Sequence, residues 1–134
     1  MKNSWRRYNM KVGFTTTDNV FINDHFGWAK KIAIYDVTES GFDFIELREF
    51  EAEEDEIEKI EKKIAKLRDL KIIFVESIGG TAAAKVVSSG IHPVKSKPDD
   101  KIVTVLENLK GVLSTNPPPW LKKIIMKDKM ANIA

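Results

Sequence analysis

The chain has 134 residues, carries 22 basic against 20 acidic side chains for a formal net charge of +2, and contains no cysteine. A chain of this length buries about two-thirds of its unfolded surface in one core, so a single domain is expected without disulfide or metal staples. The missing thiols exclude disulfides, zinc ribbons and ferredoxin-type iron–sulfur ligation by the protein's own side chains, and point to a cytoplasmic protein.

The opening MKNSWRRYNM is charged but lacks the following run of roughly 7 to 15 apolar residues that a signal peptide needs, and nowhere do about 18 apolar residues follow one another. No membrane partner is expected. Residues 1–9 read as a flexible N-terminal extension, 10–126 as the folded domain and 127–134 as a C-terminal tail. Charge is segregated along the chain: residues 1–35 carry 6 basic and 2 acidic groups, 36–76 carry 7 and 14, and 77–134 carry 9 and 4. Such segregation either draws an anionic partner to one side of the molecule or simply marks solvated faces.

KVGFTT (11–16) alternates and is rich in β-formers, which predicts a first strand closed by the Asp18-Asn19 turn. KKIAIYDV (30–37) predicts a second. Glu39-Ser40-Gly41 makes a turn, and FDFIELREF (42–50) alternates imperfectly, as a hairpin partner with one face on a core would. EAEEDEIEKIEKKIAKLRDL (51–70) is the clearest helix: Ile57, Ile60, Ile64 and Leu67 form one stripe, and acids precede bases as the helix dipole favours. Asp55–Lys59 and Glu58–Lys62 add i,i+4 pairs, and the acidic run reads as a solvated face. KIIFV is continuously apolar, the mark of a strand buried on both sides. It leads through Gly79-Gly80 into a short helix stopped by Gly90. IHPVK (91–95) is a short strand whose Pro93 argues for an edge. Pro98-Asp99-Asp100 opens a helix through about Leu109, with Ile102, Val105, Leu106 and Leu109 on one face. The three prolines at 117–119 stiffen the exit from that helix, and Trp120, Leu121, Ile124 and Ile125 then give an amphipathic turn or two. The order, a strand hairpin region followed by βαβ alternation, predicts an α/β mixed sheet flanked by helices.

Three places carry candidate chemistry. His25, in NDHFGWAK, sits in a polar turn where an imidazole is either an exposed ligand and acid–base group or a spectator. No second ligand lies at a metal-site spacing except the adjacent Asp24, so a self-sufficient mononuclear site is not indicated. SIGGTAAAK puts a helix N-terminus at the carboxyl end of a buried strand, where open α/β sheets bind ligands and anions, or where glycine merely permits a tight turn. It is neither G-x-G-x-x-G nor a P-loop. His92 precedes a proline and is therefore extended, facing away from Ile91 and Pro93, a structural position more than a ligating one. No G-x-S-x-G elbow is present, and the first strand lacks the carboxylate that metal-dependent phosphodiester cleavage requires, so esterase and nuclease readings fail; no nucleic-acid partner is expected.

Taken together, NDHFGWAKKIAIYDV, ESIGGTAAAKVVSSGIHPVK and NPPPWLKK resemble the dinitrogenase iron–molybdenum cofactor biosynthesis family, which includes NifX, the carboxyl-terminal domain of NifB and the cofactor-binding domain of NafY. The resemblance spans roughly residues 10–124. It implies a ribonuclease H-like fold, a mixed β-sheet of about five strands in one domain, that has lost the nuclease carboxylates. It further implies a non-enzymatic carrier whose cargo is an iron–sulfur cluster, the iron–molybdenum cofactor or its precursor, in nitrogen fixation or a related metallocluster pathway. Under that resemblance His25 is the metal ligand, and Asn23, Phe26, Gly27, Ile78, Gly79, Gly80 and Thr81 surround the cargo, with His92 as a further cofactor-binding position of less definite role. Ser77 stands where some members carry a cysteine, so a thiolate contribution is absent. Lys30, Lys31, Lys85 and Lys95 attract an anionic cluster on charge grounds.

A preformed cluster has most iron valences filled by sulfide, so a carrier needs one or two weak ligands and not four thiolates. Implied partners are cofactor-assembly proteins as donor and acceptor, with the chain a monomer or weak homodimer. The alternative is a protein-interaction or regulatory domain of the same fold that binds no cluster, using the surface around Trp28 or Trp120.

Overall fold

The computed structural model describes residues 8–51 and 56–131. In chain order it contains β1 (Met10–Thr15), β2 (Lys31–Val37), β3 (Phe42–Glu49), α1 (Glu56–Ala65), β4 (Ile72–Val75), α2 (Gly80–Ser88), β5 (His92–Lys95), α3 (Ile102–Ser114) and α4 (Pro119–Ala131). The sheet order is β3-β2-β1-β4-β5. β2 runs antiparallel to both β1 and β3, whereas β4 is parallel to β1 and β5. This is the five-stranded mixed sheet, flanked by helices in one domain, that the ribonuclease H-like resemblance implies.

Strand alternation divides the core in two. Val12 and Phe14 of β1, Ala33 and Val37 of β2 and Ile72 and Phe74 of β4 point to one face, where Ile102, Leu106, Leu109 and Leu113 of α3 and Leu121 of α4 cover them. Ile32, Ile34, Ile73 and Val75 point to the other face, under Ile60 and Ile64 of α1 and Ala82 and Val86 of α2. All four residues of β4 are buried, as a strand covered on both sides must be. Each large side chain taken fully out of water contributes roughly 1.5–3 kcal/mol before chain entropy is charged against it.

At Gly13 the missing side chain lets Leu70, in the segment after α1, lie close over β1. A Cβ built there would lie 2.7 Å from Leu70 Cδ1 and 3.0 Å from Ile32 Cγ2. Gly90, at φ +86°, lies in the left-handed region that lets the chain leave α2 and turn into β5.

Three expectations change. β3 is an edge strand and does not rest squarely on a core: its pairing with β2 shifts register between Ile34 and Tyr35, and Phe44 and Ile45 are 54% and 43% exposed. The extra residue turns the alternation over part-way along the strand. α1, described from Glu56, ends at Ala65, short of the expected Leu70, and tight turns carry the chain on from there; residues 52–55 of the expected helix lie outside the described residues. Glu58 pairs with Lys62 at 3.2 Å, while the expected Asp55–Lys59 pair and the side chain of Ile57 lie outside the described residues. Finally, the segment after the prolines is a 13-residue helix, longer than a turn or two, and includes residues 127–131 of the expected tail. Pro119 occupies its first turn, where a missing N–H costs nothing. Of the expected extension, residues 1–7 lie outside the described residues; the Tyr8 hydroxyl donates to Asp128 Oδ2 of α4 at 2.8 Å, and Asn9 Nδ2 donates to Asp36 at 3.0 Å.

Candidate functional site

The connection from β1 to β2 returns across the carboxyl ends of β1 and β4. Asn23 Oδ1 accepts the Thr17 N–H at 2.9 Å and Asp18 Oδ1 accepts the N–H groups of Val20 and Phe21, while the buried Ile22 donates its N–H to the Asp100 carbonyl at 3.0 Å and anchors the loop beside α3. Those backbone bonds hold the Asp18 carboxyl below the usual carboxylate range. The buried Thr15 hydroxyl then donates to the Asp24 carbonyl at 2.7 Å. Glu76 N–H donates to Asp24 O at 3.2 Å and Phe26 N–H donates to Ser77 O at 2.9 Å, and His25 pairs with Ser77 in an isolated parallel bridge. His25 is thereby fixed at the carboxyl end of β4, one residue from the Ile78-Gly79-Gly80-Thr81 turn.

The imidazole lies over its own turn. Gly27 N–H donates to His25 Nδ1 at 2.9 Å, and the Trp28 ring lies 4.8 Å away at a 32° tilt. Nε2 has no partner among the described residues, and no buried side-chain nitrogen there is left unpaired, so Nε2 reaches solvent. Trp28 is 71% exposed. With Lys30, Lys31 and Lys66 and the acids Asp24, Glu49 and Glu51 it lines an open cleft of about 780 Å³.

Below the turn lies a residue that sequence reasoning passed over. Lys63, one of the bases of α1 and only 3% exposed, donates through Nζ to the carbonyls of Phe26 and Ala29, both at 2.8 Å. Its ammonium also lies 5.4 Å from the ring centroids of Phe26 and of Phe50. A buried cation needs such compensation. It joins α1 to the histidine turn.

Beside this, Gly79 caps α2 with extended backbone and no side-chain cap bond, so first-turn N–H groups remain for a ligand. Gly79, Gly80 and Thr81 are exposed. Not every expected position faces this end. Phe26 is fully buried and anchors the turn in the core, and Asn23 is occupied in closing the loop. His92 pairs across the sheet with Ile72, at the opposite end of β4 from Ser77, roughly 16 Å away at about 3.3 Å per residue. It stacks on Trp120 of α4 at 4.9 Å and 14°, and burial pushes its imidazole below the ordinary value. Lys85 pairs with Glu61 at 3.2 Å, whereas Lys30 and Lys95 are exposed and Lys31 half-buried. Among the described residues no three His, Asp or Glu side chains group closely enough to hold a metal ion.

A family model described as dinitrogenase iron-molybdenum cofactor matches residues 9–111. The chain belongs to that family. The dinitrogenase iron–molybdenum cofactor span contains β1, the histidine turn, Lys63, β4 and the 78–81 turn, while α4 lies beyond it. Protein NifX of Herbaspirillum seropedicae is 36% identical over 121 residues, covering 88% of this chain and 83% of its own. Protein NifX of Sinorhizobium fredii is 35% identical over 130 residues, covering 91% and 81%. The crystal structure of PH0822 superposes with a TM-score of 0.61 over 76% of this chain and 90% of that one, at 21% identity, a likeness of fold. No helix among the described residues is long and apolar enough to cross a membrane.

Proposed function

We propose that this protein is a non-enzymatic carrier that holds an iron–sulfur cluster, the iron–molybdenum cofactor or a precursor of it, between cofactor-assembly proteins in the cytoplasm. Membership of the dinitrogenase iron–molybdenum cofactor family supports a role in cofactor biosynthesis for nitrogen fixation. The observation that carries the finer reading is the solvent-facing Nε2 of His25, held on a stitched turn beside the open first turn of α2. One imidazole reaches one iron, and nearby backbone N–H groups offer hydrogen bonds to sulfides. So few contacts suit a cargo that must be handed on, and the absent thiolates keep the grip reversible.

The test is anaerobic. Purified protein is mixed with isolated iron–molybdenum cofactor, passed through a desalting column, and the co-eluting iron quantified for wild type, His25→Ala and His92→Ala. Iron is expected with wild type and with His92→Ala, and at least tenfold less with His25→Ala. Equal iron in all three would remove His25 from the reading, and none in any would remove the carrier itself. The second reading, an interaction domain without cargo, is favoured by exposed apolar side chains: Trp28, and Met126 and Met130, 60% and 68% exposed on the same helix as Trp120.

A further inference from the structure

Lys63, the peptide group between Phe26 and Gly27, and the ring of His25 are joined in one line of hydrogen bonds. Lys63 Nζ donates to the Phe26 carbonyl at 2.8 Å, and the N–H of that same peptide group, on Gly27, donates to His25 Nδ1 at 2.9 Å. A backbone N–H can only donate, so Nδ1 is the acceptor nitrogen and a neutral His25 carries its proton on Nε2, which faces solvent. We propose that Lys63 is a positioning residue of the cargo site: acting through the Phe26–Gly27 peptide, it fixes His25 in the Nε2–H tautomer, so that the unloaded site presents a hydrogen-bond donor and not a metal ligand.

The physical basis is the conjugation of the amide. A cation on the carbonyl oxygen draws electron density through the C–N bond and makes the N–H on the far side a stronger donor. The effect is large only where water does not screen it, and Lys63 is 3% exposed. The same ammonium holds the Ala29 carbonyl, which pins both ends of the 26–29 turn and keeps the Gly27 N–H aimed at the ring. The glycine leaves the ring its place, since a Cβ at 27 would lie 3.2 Å from His25 Nδ1 and Cε1.

This deepens the carrier reading, and for its functional meaning rests on it. A sulfide-covered cluster first meets Nε2–H as a donor to sulfide. Coordination of iron by Nε2 requires that nitrogen to give its proton to water while Nδ1 takes one up. Nδ1–H would then face the Gly27 N–H, donor against donor, and the bond between them is lost. Iron ligation is therefore weakened roughly two- to tenfold, the equilibrium worth of one such hydrogen bond, and the cargo is correspondingly easier to pass on.

The experiment uses the full chain without cargo, so its failure leaves the carrier reading to the iron-retention test. Imidazole nitrogens of ¹⁵N-labelled protein are observed by long-range ¹H–¹⁵N correlation at about pH 8.5, well above the ordinary imidazole value, and His92→Gln assigns the second ring. Wild type is expected to show one tautomer, protonated at Nε2, with a scalar coupling across the hydrogen bond from the Gly27 nitrogen to Nδ1. In Lys63→Met that coupling falls and the second tautomer appears, while Lys63→Arg, which keeps the charge and the donors, restores the single tautomer. If Lys63→Met does not fold, Lys63→Gln, which removes the charge and shortens the donor by one atom, must lower the coupling. A proton on Nδ1 in wild type, no coupling to Gly27, or an unchanged coupling in any folded variant without the charge overturns the proposal.

Discussion

Two contacts of 3.2 Å, from a Cβ at position 27 to the Nδ1 and Cε1 of His25, decide what residue 27 can be. A methyl group there pushes the ring off its turn or lengthens the Gly27 N–H bond, yet it touches no core side chain. Gly27→Ala is therefore expected to lower iron retention several-fold while costing less than about 1 kcal/mol of stability; desalting assays and urea melts of the same preparation separate the two effects. A fall of stability with retention unchanged would mean that ring placement does not matter. At this scale the sequence speaks unevenly. That the imidazole stays out of the core was legible, because it sits in a polar turn, whereas the room that Gly27 leaves for the ring has no mark in the sequence. Nor was Lys63 legible. Among the alternating bases of an amphipathic helix it reads as a solvated lysine, and its acceptors, the carbonyls of Phe26 and Ala29, lie 37 and 34 positions away along the chain and carry no side-chain signature.

Elements were legible where period and burial agree. The four apolar residues of β4 announced an interior strand, and the stripe on α1 announced a helix with one covered face. They were misread where a local irregularity breaks the period. The register shift in β3 turns Phe44 and Ile45 outward, and no sequence pattern marks it. In α4 the three prolines suggested an ending, when the last of them starts a helix. The bare spot on β1 yields a direct test of how tightly these elements meet. Gly13→Ala places its methyl 2.7 Å from Leu70 Cδ1, inside a packed layer, so a loss of about 1–3 kcal/mol is expected from overpacking. The shift in urea midpoint measures it. A neutral or stabilising result would show that Leu70 swings aside freely and that the segment after α1 is loosely seated.

Across the whole molecule the sheet keeps two sets of contacts apart. On one side α1 and α2 hold the histidine turn; on the other α3 and α4 pack, and His92 stacks on Trp120. That second side carries the pH dependence. Burial lowers the His92 value in the folded state, so on acidification the unfolded chain takes up the proton first. The His92 contribution to stability is complete above about pH 6.5, the ordinary imidazole value, and is lost as pH falls from there through the lowered folded value. Urea midpoints at about pH 7.5 and 5.5 should differ more in wild type than in His92→Gln, with the Trp120 emission following the change; equal differences would show that the stacked ring does not set the response.

The layer of strands also bears on how such a chain changes over generations. Because Phe26, Ile60 and Ala82 belong to one packed group and Leu106, Leu113 and Leu121 to another, substitutions in the two groups share no neighbours across the sheet and should add in their effects. Drift in the helices of one face therefore leaves the imidazole and its turn where they were. The start of α3 is the exception, because Ile22 N–H donates to the Asp100 carbonyl and Ile102 N–H to the Val20 carbonyl, which ties it to the loop that carries the imidazole. Descendants of this chain can remodel the surface around Trp120 and Met126 while inheriting the grip around His25 unaltered.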